Sequence, residues 1–371
     1  DGCPPGLDLK EEEIQTELDL RKPGQSELTT PRREPDRVEI LSGVFEGKTL
    51  GTPIALVIFN RDMRPSDYST LANIYRPGHA DYTYQMKFGR RDYRGGGRSS
   101  GRETAARVAA GAVARKLLAG EGIQVLAFAR AIGGVRLPEE ELARLFADEG
   151  AAVPSAAASA DGSPPAGEAA IPVKPPVGLD RIRRTVYSSR VRCPDPETAR
   201  GMEKAIAAAA EEQDSVGGVV EARAFGVPAG LGDPVFGKIE ARIGQAVLSI
   251  GAVKGIEFGQ GFELASLRGS QANDPFTTDL AGRVVPAANR AGGMAGGIST
   301  GLPIVCRAAV KPTSSIGRSQ NTVDAQGRPV ELAVDGRHDP CIVIRLVPVV
   351  EHMINLVLID LLLAQRAIAG G

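Results

Sequence analysis

The run Gly95-Gly96-Gly97-Arg98-Ser99-Ser100-Gly101-Arg102-Glu103 leads straight into residues 104–118, where Ala105, Val108, Ala109, Ala112, Val113 and Leu117 are apolar. Steps of three and four mark one face of an amphipathic helix. Ser100 followed by Glu103 predicts a capping box at its start. Three glycines let backbone amides approach a ligand closely. The amide end of a helix favours an anion, and Arg98 and Arg102 add charge beside it. The stretch therefore predicts a long helix with a phosphate or flavin site at its N-terminus, against the plainer reading of a flexible turn before a capped helix.

Outward from this helix, both periodicities alternate. Residues 197–210 repeat the helical pattern more weakly, with Met202 and Ile206 inward, Asp195 as N-cap and Pro196 at the first helical position. Residues 219–225 alternate and predict a strand. Val235, Ile239, Ile243, Ala246 and Val247 predict another helix, and residues 253–258 another strand. The class is mixed, α+β. A second glycine-arginine loop, Gly336-Arg337-His338-Asp339, precedes a second long helix over 347–366, a faint echo that fits two similar halves. Residues 150–176 are rich in Ala, Ser, Pro and Gly with almost nothing large and apolar, which predicts a mobile surface insertion in a single domain spanning 1–371.

Composition narrows the function. A net charge of -1 over 371 residues gives no reason to expect nucleic acid or an anionic membrane as partner. Arg outnumbers Lys; its planar fork suits phosphate and carboxylate, although a genome rich in G+C would give the same bias. Cys3, Cys193, Cys306 and Cys341 form no C-x-x-C pair, and His79, His338 and His352 form no cluster with them. Reduced thiols and no metal site are expected. The most apolar segment, 353–363, is interrupted by Asn355 and Asp360 and is too short to span a bilayer.

Three further constellations suit a multiply anionic ligand. Lys311-Pro312-Thr313-Ser314-Ser315 bunches an ammonium with three hydroxyls, without the glycine spacing of a Walker loop. Arg76-Pro77-Gly78-His79-Ala80-Asp81 places a proton-transfer side chain near an arginine. Gly336-Arg337-His338-Asp339-Pro340-Cys341 sets a carboxylate beside Arg and His. Each alone is also explained as a solvated or salt-bridged loop.

Together with Val227-Pro228-Ala229-Gly230-Leu231-Gly232, these four strings resemble, in order, the motifs of the chorismate synthase family, and the resemblance covers nearly the whole chain outside 150–176. It implies a β-α-β sandwich with internal duplication, commonly a cytoplasmic homotetramer. It implies a lyase that converts 5-enolpyruvylshikimate 3-phosphate to chorismate and phosphate by trans-1,4-elimination, needing reduced FMN without net redox change. NADPH is a possible source of electrons for the flavin. It assigns FMN contacts to Arg98, Ser99, Ser100, Ala252, Gly296, Lys311, Pro312, Thr313, Ser314, Ser315 and Arg337. It assigns protonation of the reduced flavin to His79, help in removing the substrate proton to Asp339, and substrate anions to Arg21, Arg76 and Arg102. Three departures stand out. The family's Ser-His motif lies upstream of Asp1, so the first strand reads as truncated. Glu27 replaces a common basic residue, and Gly251 replaces an amide before Ala252. A flavin- or phosphosugar-binding oxidoreductase is the competing class, and no nicotinamide fingerprint supports it.

Because residues 150–176 offer little to bury, deleting 151–170 is expected to leave melting temperature and turnover nearly unchanged. Loss of flavin binding or of the assembly on deletion would show that the segment packs against something.

Overall fold

The computed structural model describes residues 1–30, 32–62, 68, 71–94, 97–147, 178–278, 282, 284–334 and 338–369. Segment 150–176 and residues Gly95, Gly96, Gly336 and Arg337 lie outside these. The chain opens with helix α1 (Glu11–Arg21) and four short strands, β1 (Val38–Ser42), β2 (Val44–Phe45), β3 (Lys48–Thr49) and β4 (Ala55–Ile58). Helices α2 (Asp81–Phe88) and α3 (Thr104–Gly120) follow, then β5 (Gln124–Ile132) and β6 (Val135–Arg136). Helices α4 (Glu139–Ala147), α5 (Leu179–Ser188) and α6 (Pro196–Glu211) come before β7 (Gly218–Phe225), α7 (Ile239–Leu248) and β8 (Val253–Phe258). The short α8 (Gly269–Ala272) leads to two hairpins, β9 (Phe276–Thr278) with β10 (Val284–Pro286) and β11 (Met294–Ala295) with β12 (Ile298–Ser299). Strand β13 (Ile304–Val310), the hairpin β14 (Gln320–Val323) and β15 (Pro329–Leu332), and the long α9 (Val343–Ala369) complete it.

An antiparallel sheet, β6-β5-β7-β13-β8, forms one layer. The β1–β4 pair forms another. Helix α3 touches β4 on one side and β5 on the other, while α1 and α9 pack beside it. The expected β-α-β sandwich is therefore present, with the helices as the middle layer. The two glycine-arginine loops lead to α3 and α9, and those two helices pack along each other.

Small side chains make this packing possible. Ala127, Ala222 and Cys306 stand in register across three strands and are buried. Gly111 on α3 lies so close to α9 that a Cβ there would sit 2.3 Å from His352 Cβ and 2.8 Å from its carbonyl oxygen. Helix α9 is long and apolar enough to cross a membrane by length and composition, yet 72% of its apolar stretch is buried among the protein's own elements.

Most expected elements appear within a few residues. Asp195 caps α6 by accepting the Thr198 amide at 2.7 Å, with Pro196 at the first position. Three expectations change. Val235 is outside α7, exposed and at φ +64°. Strand β7 does not alternate between buried and exposed: Glu221 and Arg223 are buried as an ion pair, 2.8 Å from Arg223 Nε to Glu221 Oε1, with Phe146 under the guanidinium at 4.3 Å. The Ser100–Glu103 capping box does not form. A single 3-10 turn, Gly101–Glu103, intervenes, so Ser100 Oγ accepts the Arg102 amide at 3.2 Å and Glu103 turns to Arg107 at 2.8 Å.

A buried polar network ties the helical layer together. Glu17 on α1 accepts from Arg115 and Arg183 at 2.8 Å each and lies 3.1 Å from His352 Nε2. Glu351 pairs with Arg183 and accepts from Tyr187 and the Ala127 amide at 3.1 Å each. Burial alone would raise the Glu17 pKa, but the His352 contact and the Arg183 and Arg115 charges outweigh it and bring it from 4.5 down to about 2. A carboxylate whose folded pKa is depressed contributes stability above its unfolded pKa and loses it as pH falls through the folded one. Unfolding free energy should therefore drop between about pH 4.5 and pH 2, and Glu17→Gln should flatten that part of a urea-melt series against pH. Gly111→Ala should cost about 3 kcal/mol, since backbone rather than a flexible tip must yield. A lower urea midpoint at unchanged slope is the expected reading.

Candidate active site

Elements distant in sequence converge at the N-terminal ends of α2, α3 and α9. The 76–81 loop turns tightly at Gly78, whose φ of +67° favours glycine. The turn is pinned from the 311–315 loop: Lys311 Nζ donates to Gly78 O at 3.0 Å and to Ser314 Oγ at 2.7 Å, and Ser314 Oγ donates to Gly78 O at 2.8 Å. Asp81 opens α2 and is buried. Arg76 grips it as a fork, Nε to Oδ2 at 2.7 Å and Nη2 to Oδ1 at 3.0 Å, and Arg91 Nη1 reaches Oδ1 at 3.1 Å. His79 Nδ1 stands 3.1 Å from Asp81 Oδ1 and 3.0 Å from Arg76 Nη2. Burial would raise the Asp81 pKa, but hydrogen bonds from His79 and Arg76 and their charges hold it well below the carboxylate range. Arg76 Nη1 also donates to Ser315 Oγ at 3.4 Å.

The sheet supplies the next wall. Ala252, just before β8, sits at φ +72°, a strained conformation for a residue with a Cβ, and its carbonyl accepts the Lys311 amide at 2.9 Å. Burial and the Lys254 charge push the Lys311 ammonium down. Thr313 Oγ1 and His338 Nε2 are buried without a hydrogen-bond partner among the described residues. Burial, with Arg76 and His79 facing it, pushes the His338 imidazole below its ordinary value, and Asp339 opposes that.

A second basic cluster lies beside the first. Arg21, at the end of α1, is 1% exposed; it donates to Asp36 at 2.6 Å, Thr104 Oγ1 at 3.0 Å and Gly101 O at 2.5 Å. Arg102 meets the other Asp36 oxygen and donates to Phe59 O at 2.9 Å. Asp339 accepts the Thr30 amide at 3.0 Å and Arg345 Nη1 at 2.6 Å. Arg345 Nε donates to Arg21 O at 3.4 Å, which joins the Asp339 pair to the Asp36 pair, and Arg32 pairs with Glu34 at 3.2 Å. Burial, then the Arg345 and Arg102 charges, push the Arg21 guanidinium down. Among the described residues four arginines here, Arg21, Arg32, Arg102 and Arg345, face three carboxylates, Glu34, Asp36 and Asp339, a field that favours one more anion.

The sequence-derived residues divide accordingly. His79, Asp339, Arg21, Arg76, Arg102, Ala252, Lys311, Pro312, Thr313, Ser314 and Ser315 fall on these adjoining loops. Arg98 and Ser99 are exposed on the turn before α3, with Ser100 at its inner end. Gly296 occupies the β11–β12 turn at φ +63°; its neighbour Gly297 packs on Lys238 at the start of α7. Arg337 lies outside the described residues. Glu27 pairs with Arg190 at the surface. The sequence reading assigned no role to Arg32, Glu34, Asp36, Arg91 or Arg345. Arg345 had a usable signal, a lone cation within the apolar run 342–350, because buried arginines are rare unless paired.

Comparison with known proteins agrees with this geometry. The chorismate synthase family profile matches residues 1–363. A chorismate synthase of Syntrophobacter fumaroxidans is 50% identical over 363 residues, covering 98% of this chain and 90% of the relative. That of Methanocella arvoryzae is 49% identical over 372 residues, covering 100% and 88%. A crystal structure of chorismate synthase superposes with a TM-score of 0.70 at 33% identity, over 100% of this chain and 87% of the other. The chain therefore belongs to the chorismate synthase family, a family of carbon–oxygen lyases.

Proposed function

We propose that the two adjoining clusters bind 5-enolpyruvylshikimate 3-phosphate and carry out its trans-1,4-elimination to chorismate and inorganic phosphate, with reduced FMN bound alongside and no net redox change. The observation that carries this reading is the gathering, among the described residues, of the guanidiniums of Arg21, Arg102 and Arg345 around two carboxylates, Asp36 and Asp339, next to a histidine and a lysine-hydroxyl loop. A substrate with a phosphate and two carboxylates supplies the missing negative charge. Arginine forks hold such groups in fixed orientation and stabilise the departing phosphate.

The residues also fit a flavin. Among the described residues Thr313 Oγ1 and His338 Nε2 are buried without a hydrogen-bond partner, and the strained Ala252 holds the start of the 311–315 loop through its carbonyl. When bound, reduced FMN supplies an electron-rich ring for the elimination. Around it, Lys311, Thr313, Ser314 and Ser315 would hold polar groups, and His79 would hold a transferable proton on its ring. Asp339, fixed on both oxygens by Thr30 and Arg345, would stand as a carboxylate that does not swing. NADPH as electron source and a cytoplasmic homotetramer belong to the same reading.

An anaerobic assay tests it. Phosphate should be released from the enolpyruvyl ester only with chemically reduced FMN; equal turnover with oxidised FMN or with none would overturn the assignment. His79→Ala and Asp339→Asn should each lower turnover by about 100-fold or more while flavin binding persists. Asparagine is chosen at 339 because it keeps the shape that Arg345 packs against.

A further inference from the structure

His79 Nδ1 has two neighbours at nearly equal distance that make opposite demands. Arg76 Nη2, 3.0 Å away, can only donate, so it requires a bare Nδ1. Asp81 Oδ1, 3.1 Å away, can only accept, so it requires an Nδ1 that carries hydrogen. The two pairings belong to different tautomers of the ring.

The surroundings favour the carboxylate. Asp81 is buried at the start of α2, where unpaired amides favour negative charge. Arg76 holds both its oxygens, so that guanidinium is satisfied without the ring. Arg91 holds Oδ1 from the far side, and Arg91 is itself immobilised, because its Nη2 donates to Leu71 O at 2.6 Å, Ala72 O at 3.0 Å and Ile74 O at 2.9 Å. Among the described residues, the other titratable groups facing this turn come from the 311–315 and 338–339 loops: Lys311, which donates to Gly78 O, and His338, beside which Asp339 is committed to Arg345. Once the ring is protonated, an Nδ1–H aimed at Arg76 would oppose a cation; Asp81 is the acceptor within reach.

We propose that Asp81 is the positioning residue of His79: its carboxylate takes the Nδ1–H, leaving Nε2 as the nitrogen that gives and takes the proton. This rests on His79 being the proton-holding group of the reaction. A ring that loses its proton from Nε2 ends as the Nδ1–H tautomer already bound to Asp81, so no side chain has to move. Were Arg76 the partner, the neutral ring would carry its hydrogen on Nε2 and the proton would have to leave from the inner nitrogen, against a guanidinium.

Imidazole nitrogen NMR on uniformly ¹⁵N-labelled protein tests this independently of turnover. The chain has three histidines, so a His79→Gln spectrum assigns the ring. The neutral ring should be the Nδ1–H tautomer in the unaltered protein and should switch to Nε2–H in Asp81→Asn, with Asp81→Glu retaining Nδ1–H. Turnover of Asp81→Asn should fall on the order of 100-fold, because the ring is no longer held with Nε2 free to carry the proton. His79→Ala combined with Asp81→Asn should be no slower than His79→Ala alone by more than about threefold, as expected of a residue acting through another. An Nε2–H tautomer in the unaltered protein, or additive losses in the double variant, overturns the proposal. A tautomer switch in Asp81→Asn with turnover intact overturns instead the assignment of His79 as proton carrier. If Asp81→Asn does not fold, Asp81→Glu decides: loss of Nδ1–H despite a retained carboxylate charge overturns the proposal.

Discussion

The Asp36 carboxylate, shared between Arg21 and Arg102, is the contact on which the arrangement of this site depends. It is fully buried and adopts φ +48°, a conformation that few residues with a side chain tolerate. It links the end of α1, the segment before β1 and the turn before α3, three pieces of chain with separate local preferences. Removing one partner of a buried pair leaves an uncompensated charge, at a cost of about 3–5 kcal/mol. Here the removal would leave two guanidiniums facing each other, so the strained backbone at Asp36 is held by the charges on either side of it.

The same rule governs the rest of the interior. This chain has little aromatic content and no Trp, so few large rings are available to its interior beyond the packed Phe128, Phe146 and Phe225. Small residues let backbones approach, as at Gly111 against His352 and along the Ala127–Ala222–Cys306 row. Buried charges are then accommodated in pairs: Glu17 with Arg183 in the helical layer, Glu221 with Arg223 on the sheet, Asp339 with Arg345 at the site. Such pairs add less net stability than apolar packing would, but each breaks at high cost and so fixes which elements lie next to which.

This division explains what could be read from the sequence. Helices 104–120 and 196–211 were visible because their apolar periodicity and the Asp195-Pro196 start are local signals. The capping box was misread because a 3-10 turn brings the Arg102 amide to Ser100 Oγ, while the Glu103 amide donates to the Ser100 carbonyl instead. Residues 219–225 looked half exposed because Glu221 and Arg223 are polar; their burial follows from their pairing two residues apart and from Phe146, a contact that no window of neighbours shows. At the site, motif strings located the loops, but Asp36 and Arg91 were invisible, because their partners lie 15 and 10 residues away in no regular period.

The echo between the two glycine-arginine loops acquires a physical meaning in three dimensions. Helices α3 and α9 pack along each other, and each places an arginine at its amide end, Arg102 in the turn before α3 and Arg345 in the first turn of α9. Both press on Arg21, whose guanidinium they push down, and each is held by a different carboxylate, Asp36 or Asp339. One such helix start would be an ordinary anion site. Two of them, joined through Arg21, bring guanidiniums from separate elements together, which is what the proposed binding of a multiply anionic substrate rests on, and the carboxylates hold those arginines in place. A repeat of one local device thus yields what a single copy could not: a fixed, multiply cationic surface beside the histidine that Asp81 orients.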